Sequence, residues 1–248
     1  MRNEKIYMYG KHALLEALRS TPEMLDKVYL VDRADGELAA LLHTAGISVD
    51  RFDPRTLPTG VERDANHQGY IGRVSLHKLV HEYGDFVSTL KVDNDACLIV
   101  LGEIQDPQNV GAIIRTAAAF GVAGVLIPEH NQAQVTGTVV KVSAGMAFRV
   151  PLVSIGNVNT TLKDLKERGF WTYGLDGEAT QSVGDEPFDA PTVFVFGNEH
   201  NGIRQKTLES CDVPLVIPMH PGCESLNVGA SAAVALYAWS VKHPGALR

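Results

Sequence analysis

From Ala96 onward the sequence alternates short runs of β-branched, leucine and aromatic residues with segments of helical length and spacing. Expected strands fall at 96–101, 122–127, 152–153, 171–175, 192–196 and 213–217. Expected helices fall at 110–120, 135–144, 157–168, 203–209 and 228–241. The run Val193-Phe194-Val195-Phe196 has no polar alternation. A strand of that kind is buried on both faces, and a series of them separated by helices implies a mostly parallel sheet covered on both sides.

Three of these strands open into blocks rich in polar residues and glycine. The first is Asp106-Pro107-Gln108-Asn109-Val110-Gly111, continuing to Arg115. The second is Gly197-Asn198-Glu199-His200-Asn201-Gly202. The third runs from Ile217-Pro218-Met219 through His220-Pro221-Gly222-Cys223-Glu224 to Ser225-Leu226-Asn227-Val228. In α/β sheets ligands bind beyond the carboxyl ends of strands, where loops offer backbone groups and side chains together. Each residue also has a purely structural reading. Asn227 or Ser225 suits the N-cap of the last helix, Glu199 suits a cap for the helix near residue 203, and Arg115 suits a solvated helix face. The glycines flanking Glu199 permit close backbone approach to a ligand.

The first 75 residues read as a separate small α/β unit, with helices at 12–19 and 35–45 and strands at 27–31, 47–52 and 69–74. Gly46 is a C-terminal stop for the second helix. Residues 63–68 read as an exposed loop, and residues 76–95, weakly patterned and charged, as a linker that is helical around 79–86. The division expected is therefore 1–75, a 76–95 linker, and 96–248.

Net charge is −7. The first 75 residues carry 10 Lys/Arg against 11 Asp/Glu, and the remainder 12 against 18. A nucleic-acid partner would need a local basic cluster, for which Arg2, Lys5, Lys11, Arg51, Arg55, Arg63 and Arg73 are candidates; a solvated mixed-charge surface is the plainer reading. Three widely spaced cysteines, Cys97, Cys211 and Cys223, suggest reduced thiols. The N-terminus lacks a signal-peptide pattern and no apolar stretch nears the ~20 residues of a membrane span, so a soluble cytoplasmic protein is expected. The sequence contains no GxGxxG, no GxxxxGK[ST], no GxSxG and no metal-ligand spacing among its nine histidines.

Taken together, the blocks resemble the signature motifs of the SpoU (TrmH) family of RNA 2′-O-ribose methyltransferases, within the SPOUT superfamily. The matches are DPxNxGAxxRxA over Asp106–Ala117, GxExxG over Gly197–Gly202, and IPMxxxxxSLNV over Ile217–Val228. Lys141-Val142-Ser143-Ala144-Gly145, Val150-Pro151, Tyr9-Gly10 and His67-Gln68-Gly69 extend the resemblance over nearly the whole chain. It is closest to the subgroup that methylates a guanosine ribose in the peptidyl-transferase region of 23S ribosomal RNA. Two positions depart from the pattern. His200 stands where the family commonly has glycine, and Pro221-Gly222 places the third motif's glycine one residue later.

The resemblance implies an α/β fold in which a C-terminal methyltransferase domain carries a deep trefoil knot, which pattern reasoning alone excludes because knots are so rare. A small ribosomal-protein-like α/β domain precedes it to bind RNA. S-adenosyl-L-methionine is the implied cofactor, at Gly197, Asn198, Ile217, Met219 and Leu226, and a homodimer with the active site near the subunit interface is the implied assembly. Asn109, Arg115, Glu199, Ser225 and Asn227 match the motif residues assigned to catalysis. No metal and no membrane are implied. A transfer-RNA methyltransferase of the same family, a resistance enzyme acting on an adenosine, and a catalytically silent ribosome-assembly protein are the alternatives.

Overall fold

The structure, a computed structural model, describes residues 5–61 and 65–247. Strand β1 (Lys5–Tyr9), helix α1 (Lys11–Ser20), β2 (Leu25–Leu30), α2 (Gly36–Ala45), β3 (Val49–Arg51) and β4 (Tyr70–Ser75) form the first unit. Its four-stranded sheet has the order β1-β4-β2-β3, with β4 antiparallel to both neighbours and β3 a parallel edge. Asp35 caps α2 through Leu38 N–H, and Gly46 closes it in the left-handed conformation (φ 63°), as its position in the sequence predicts.

The segment expected as a linker is ordered. It forms α3 (Leu76–Leu79), β5 (Val80–Glu82) and α4 (Tyr83–Thr89), and Phe86 is buried. Strand β5 is an edge of the second sheet, paired in parallel with Leu152, Val153 and Ser154. Three polar-flanked residues at a sheet edge carry no alternation long enough to announce a strand.

The remaining elements are β6 (Cys97–Leu101), α5 (Pro107–Ala119), β7 (Gly124–Pro128), α6 (Gly137–Val142), β8 (Leu152–Ile155), α7 (Val158–Glu167), β9 (Trp171–Leu175), β10 (Gln181–Ser182), β11 (Thr192–Phe196), α8 (Gln205–Leu208), β12 (Val213–Val216) and α9 (Val228–Lys242). They build an eight-stranded sheet in the order β10-β12-β9-β11-β6-β7-β8-β5, parallel at every pairing. Side-chain alternation divides the core in two. Cys97, Ile99 and Leu101 join a layer with α5, α6 and α9, whereas Leu98 and Val100 join Leu162, Leu165 and Phe86 on the opposite face. Two short strands were not foreseen besides β5, namely β1 and the two-residue β10.

The chain lays β6, β7 and β8 outward, then returns so that β11 lies between β9 and β6. It next passes to β12 and crosses back to pack α9 on α5. The order therefore reverses beside β6, and the loops after β6 and β11 lie side by side at the carboxyl ends of the strands, tied where Asn198 Nδ2 donates to the Glu103 carbonyl.

The first unit docks on the second through β1, α1 and the 137–149 segment. Lys141 Nζ donates to the Asn66 carbonyl (3.1 Å), and Arg149 pairs with Glu16. Gly137 sits so close that a Cβ there would lie 1.8 Å from the Tyr7 carbonyl oxygen. Alanine at this position is expected to push the two units apart, at a cost of about 1–3 kcal/mol or more, as overpacking does. Faster limited proteolysis between residues 75 and 96, with the melting of the 96–248 part retained, is the expected readout; wild-type protection would show the contact to be dispensable.

Candidate active site

Proline at the first helical position and Asp106 before it start α5 three residues ahead of the expected boundary, and Asp106 accepts from Gln108 N–H (2.8 Å). That start places Asn109 in the first turn, 7% exposed, facing the loop that follows β11. Its Nδ2 donates to Glu199 Oε1 (2.9 Å), and its Oδ1 accepts from Asn227 Nδ2 (2.8 Å). Asn227 in turn is the N-cap of α9, its Oδ1 accepting from the N–H groups of Gly229 (2.9 Å) and Ala230 (3.3 Å). A carboxylate only accepts in this geometry, so it fixes which way the Asn109 amide points, and that amide fixes Asn227. One relay thus ties the three sequence blocks together.

Glu199 does not cap the helix near residue 203. It accepts from the backbone N–H groups of Gln105 and Asp106 (both 3.2 Å), at the entrance to α5, where the helix dipole favours an anion. Desolvation works to raise its pKa. The Asn109 amide and the backbone donors outweigh that and hold the carboxyl below the ordinary glutamate value of 4.5.

Beside the relay lies a cleft of about 430 Å³ at the ends of β9, β11 and β12. Gly197, Asn198, Glu199, Ile217, Met219, Ser225, Leu226 and Asn227 all line it. Gly197 is obligatory here, because a Cβ would meet the backbone of Gly202 and Ile203 at 2.2 Å. Asn198 braces the loop from within. Its Nδ2 donates to the Glu103 carbonyl (2.8 Å), and its Oδ1 accepts from His200 and Asn201 N–H. Asn109 stands behind the wall and does not itself line the cleft. Arg115 is exposed on α5 and is absent from the cleft lining.

Leu175, Asp176 and Gly177 also line the cleft and were not singled out. Their signal was available: Asp-Gly directly follows the 171–175 strand, the same strand-then-turn grammar as the three blocks. The cysteines take no part in the relay. Burial pushes the Cys211 thiol up to about 12 and Cys97 well above its usual value, while Cys223 sits in the exposed loop after β12. Among the described residues no cluster of His, Cys, Asp or Glu could hold a metal, and no helix is long and apolar enough to cross a membrane.

Of the basic candidates, Arg2 and Arg63 lie outside the described residues. Lys11 is paired with Asp35, whereas Arg51 on edge strand β3 and Arg55 beyond it are exposed.

Comparison with known proteins supplies the context. Residues 96–237 match the family model described as the SpoU rRNA Methylase family, and residues 7–79 the one for RNA 2′-O ribose methyltransferase substrate binding. The chain is 35% identical over 241 residues to the 23S rRNA (guanosine-2′-O-)-methyltransferase RlmB of Vibrio parahaemolyticus, covering 96% of each protein. It is 36% identical over 235 residues to that of Haemophilus influenzae, covering 93% of this chain and 95% of the relative. The fold is that of the SpoU methyltransferase AviRb from Streptomyces viridochromogenes, solved in complex with AdoMet. The TM-score is 0.81 at 21% identity, over 97% of this chain and 91% of that one.

Proposed function

The chain belongs to the SpoU rRNA methylase family, and from that premise we propose that it transfers a methyl group from S-adenosyl-L-methionine to the ribose 2′-hydroxyl of a guanosine in 23S ribosomal RNA. The observation that carries this reading is the Glu199–Asn109–Asn227 relay, which joins all three loops beside one cleft. The relatives named for 23S rRNA match across both units of the chain, which favours ribosomal over transfer RNA as substrate.

The cleft suits the cofactor. Its volume is of the size that takes a small ligand, Leu175, Leu215, Ile217, Met219 and Leu226 offer apolar walls, and Asp176 and Glu224 offer acceptors for hydroxyl and ammonium groups. When bound, S-adenosyl-L-methionine supplies an electrophilic methyl beside a positive sulfur. A ribose hydroxyl is a poor nucleophile, so the protein's part is to hold it in line and to ease loss of its proton. Ser225 and Asn227 orient the ribose at the cleft mouth. Glu199 keeps Asn109 and Asn227 in register. Arg115 remains a cation at neutral pH, and its role is to bind the adjacent phosphate or the forming alkoxide.

Because Arg115 stands outside its own cleft, the reading includes a homodimer. Val234, Tyr237 and Val241 recur at helical spacing on α9 and are exposed, the last two at 62%, an apolar stripe that a second copy would cover. The knotted return of the chain, the RNA-binding role of residues 1–75 and a cytoplasmic location belong to the same proposal.

The test is transfer of labelled methyl to unmodified 23S ribosomal RNA, to transfer RNA and to no RNA. Label on the 23S RNA alone is expected. RNA affinity should fall steeply with salt, by a log–log slope of roughly −0.7 to −0.9 per phosphate contacted, while cofactor affinity hardly changes. Label on transfer RNA only, or on none, would overturn the substrate assignment.

A further inference from the structure

We propose that the imidazole of His200 accepts the proton of the ribose hydroxyl, an inference that rests on the methyl-transfer reading above. The reaction releases one proton, and the cleft offers few places for it. The titratable side chains lining it are Asp176, Glu199, His200 and Glu224. Glu199 is already engaged by the Asn109 amide and two backbone N–H groups, and its depressed pKa makes it a weak base. Asp176 and Glu224 are carboxylates, a class whose ordinary affinity for protons is far too low for efficient acceptance at neutral pH. Arg115, which the proposed second copy would bring to the cleft, carries a guanidinium, a group too basic to accept a proton at neutral pH. Imidazole is the one side chain here of the class suited to general base catalysis near neutrality.

The position of His200 is built. Asn198 and Gly202 close a short hairpin by two backbone hydrogen bonds (2.9 and 3.0 Å), and Asn198 Oδ1 holds the His200 N–H (2.9 Å). Asn198 Nδ2 anchors the same loop to the Glu103 carbonyl, and Glu103 is paired with Arg204 at the loop's base. The backbone is therefore fixed, while the ring is exposed at the cleft and hydrogen-bonds to no other described residue. The charged groups that line the cleft with it are Glu199 on its own loop, Asp176 after β9 and Glu224 after β12, and the Glu103–Arg204 pair lies at the base of its loop. In the step, the ribose oxygen keeps the electron pair of its O–H bond and uses a pair to bond the methyl carbon, while the pair of the broken carbon–sulfur bond stays on sulfur and leaves a neutral thioether. The proton passes to the unprotonated ring nitrogen of His200 and then to solvent.

His200→Ala and His200→Asn test this in two ways. Single-turnover transfer, measured from about pH 5.5 to about 8.5 at saturating cofactor, is expected to fall about a hundredfold or more, to lose its acidic limb, and to recover in part in His200→Ala when imidazole is added. Cofactor affinity by calorimetry should stay within about twofold of wild type. Independently of turnover, NMR of ring-labelled histidine follows His200 in protein holding S-adenosylhomocysteine. Guanosine at millimolar concentration should move the His200 titration, and 2′-deoxyguanosine should move it less. A variant with the wild-type rate and profile, a loss of rate matched by loss of cofactor affinity, or equal response to the two nucleosides would each overturn the assignment. Wild-type protein that labels no RNA would instead overturn the methyl-transfer reading, and the nucleoside contrast would still decide for or against His200.

Discussion

Alanine at position 199 is expected to lower methyl transfer at least a hundredfold and to destabilise the fold. Among the described residues the carboxylate is the acceptor for Gln105 N–H, Asp106 N–H and Asn109 Nδ2. Its removal strands three donors and frees the Asn109 amide to rotate, which in turn releases Asn227 from its fixed orientation. The site is part-exposed, so water relieves some of the loss, and about 1–3 kcal/mol is the expected cost. Glu199→Gln is the sharper variant. It keeps the shape but turns one acceptor into a donor that faces donors, so transfer should still drop strongly while stability falls less.

The effect on stability has a definite pH dependence. The folded-state pKa of Glu199 lies below the ordinary 4.5, so its contribution is complete above that value and is lost as pH falls through the folded value. The difference in melting temperature between wild type and Glu199→Ala should therefore be widest near neutrality and shrink well below pH 4.5. Thermal melts at about pH 7 and about pH 3 would measure it; an unchanged gap would show that the carboxylate's charge contributes nothing.

The sequence made the elements legible because buried parallel strands announce themselves. Thr192–Phe196 is wholly buried and was foreseen at the same boundaries. Asn109, Glu199 and Asn227 were each visible as chemistry at a strand end, and each also had a plain structural reading. Their union was not visible, because the hydrogen bonds span 90 and 118 residues and no spacing rule connects them. For Asn227 the two readings coincide: one oxygen caps α9 while the amide nitrogen holds the relay. Strand β5 went unseen because its pairing with β8 is fixed by the tertiary fold and not by its own three residues. Arg115 enters the candidate site by its motif, and its exposed position on α5, outside the cleft lining, is set by packing that no motif states.

Arg115→Ala is accordingly expected to lower transfer by about 10²–10³-fold, the scale on which losing one stabilising donor to a developing anion is felt, with cofactor affinity unchanged. The proposed homodimer gives this variant a second use. If the guanidinium reaches the cleft of a second copy, a protomer lacking it still has an intact cleft, and a protomer with a damaged cleft still lends its arginine. Asn227→Ala provides the damaged cleft, at about 1 kcal/mol for the lost cap. Each variant alone should be nearly inactive. Unfolded, mixed in equal amounts and refolded together, half of the dimers become hybrids with one competent site of two, so about a quarter of wild-type activity should return in a two-fold symmetric assembly. If Arg115 instead served its own cleft, no hybrid would contain a complete site and the mixture would stay as inactive as its parents. Activity restored on mixing thus requires both the dimer and the crossing of Arg115 between subunits, and its absence, with hybrid formation verified by differently tagged protomers, would confine Arg115 to its own chain.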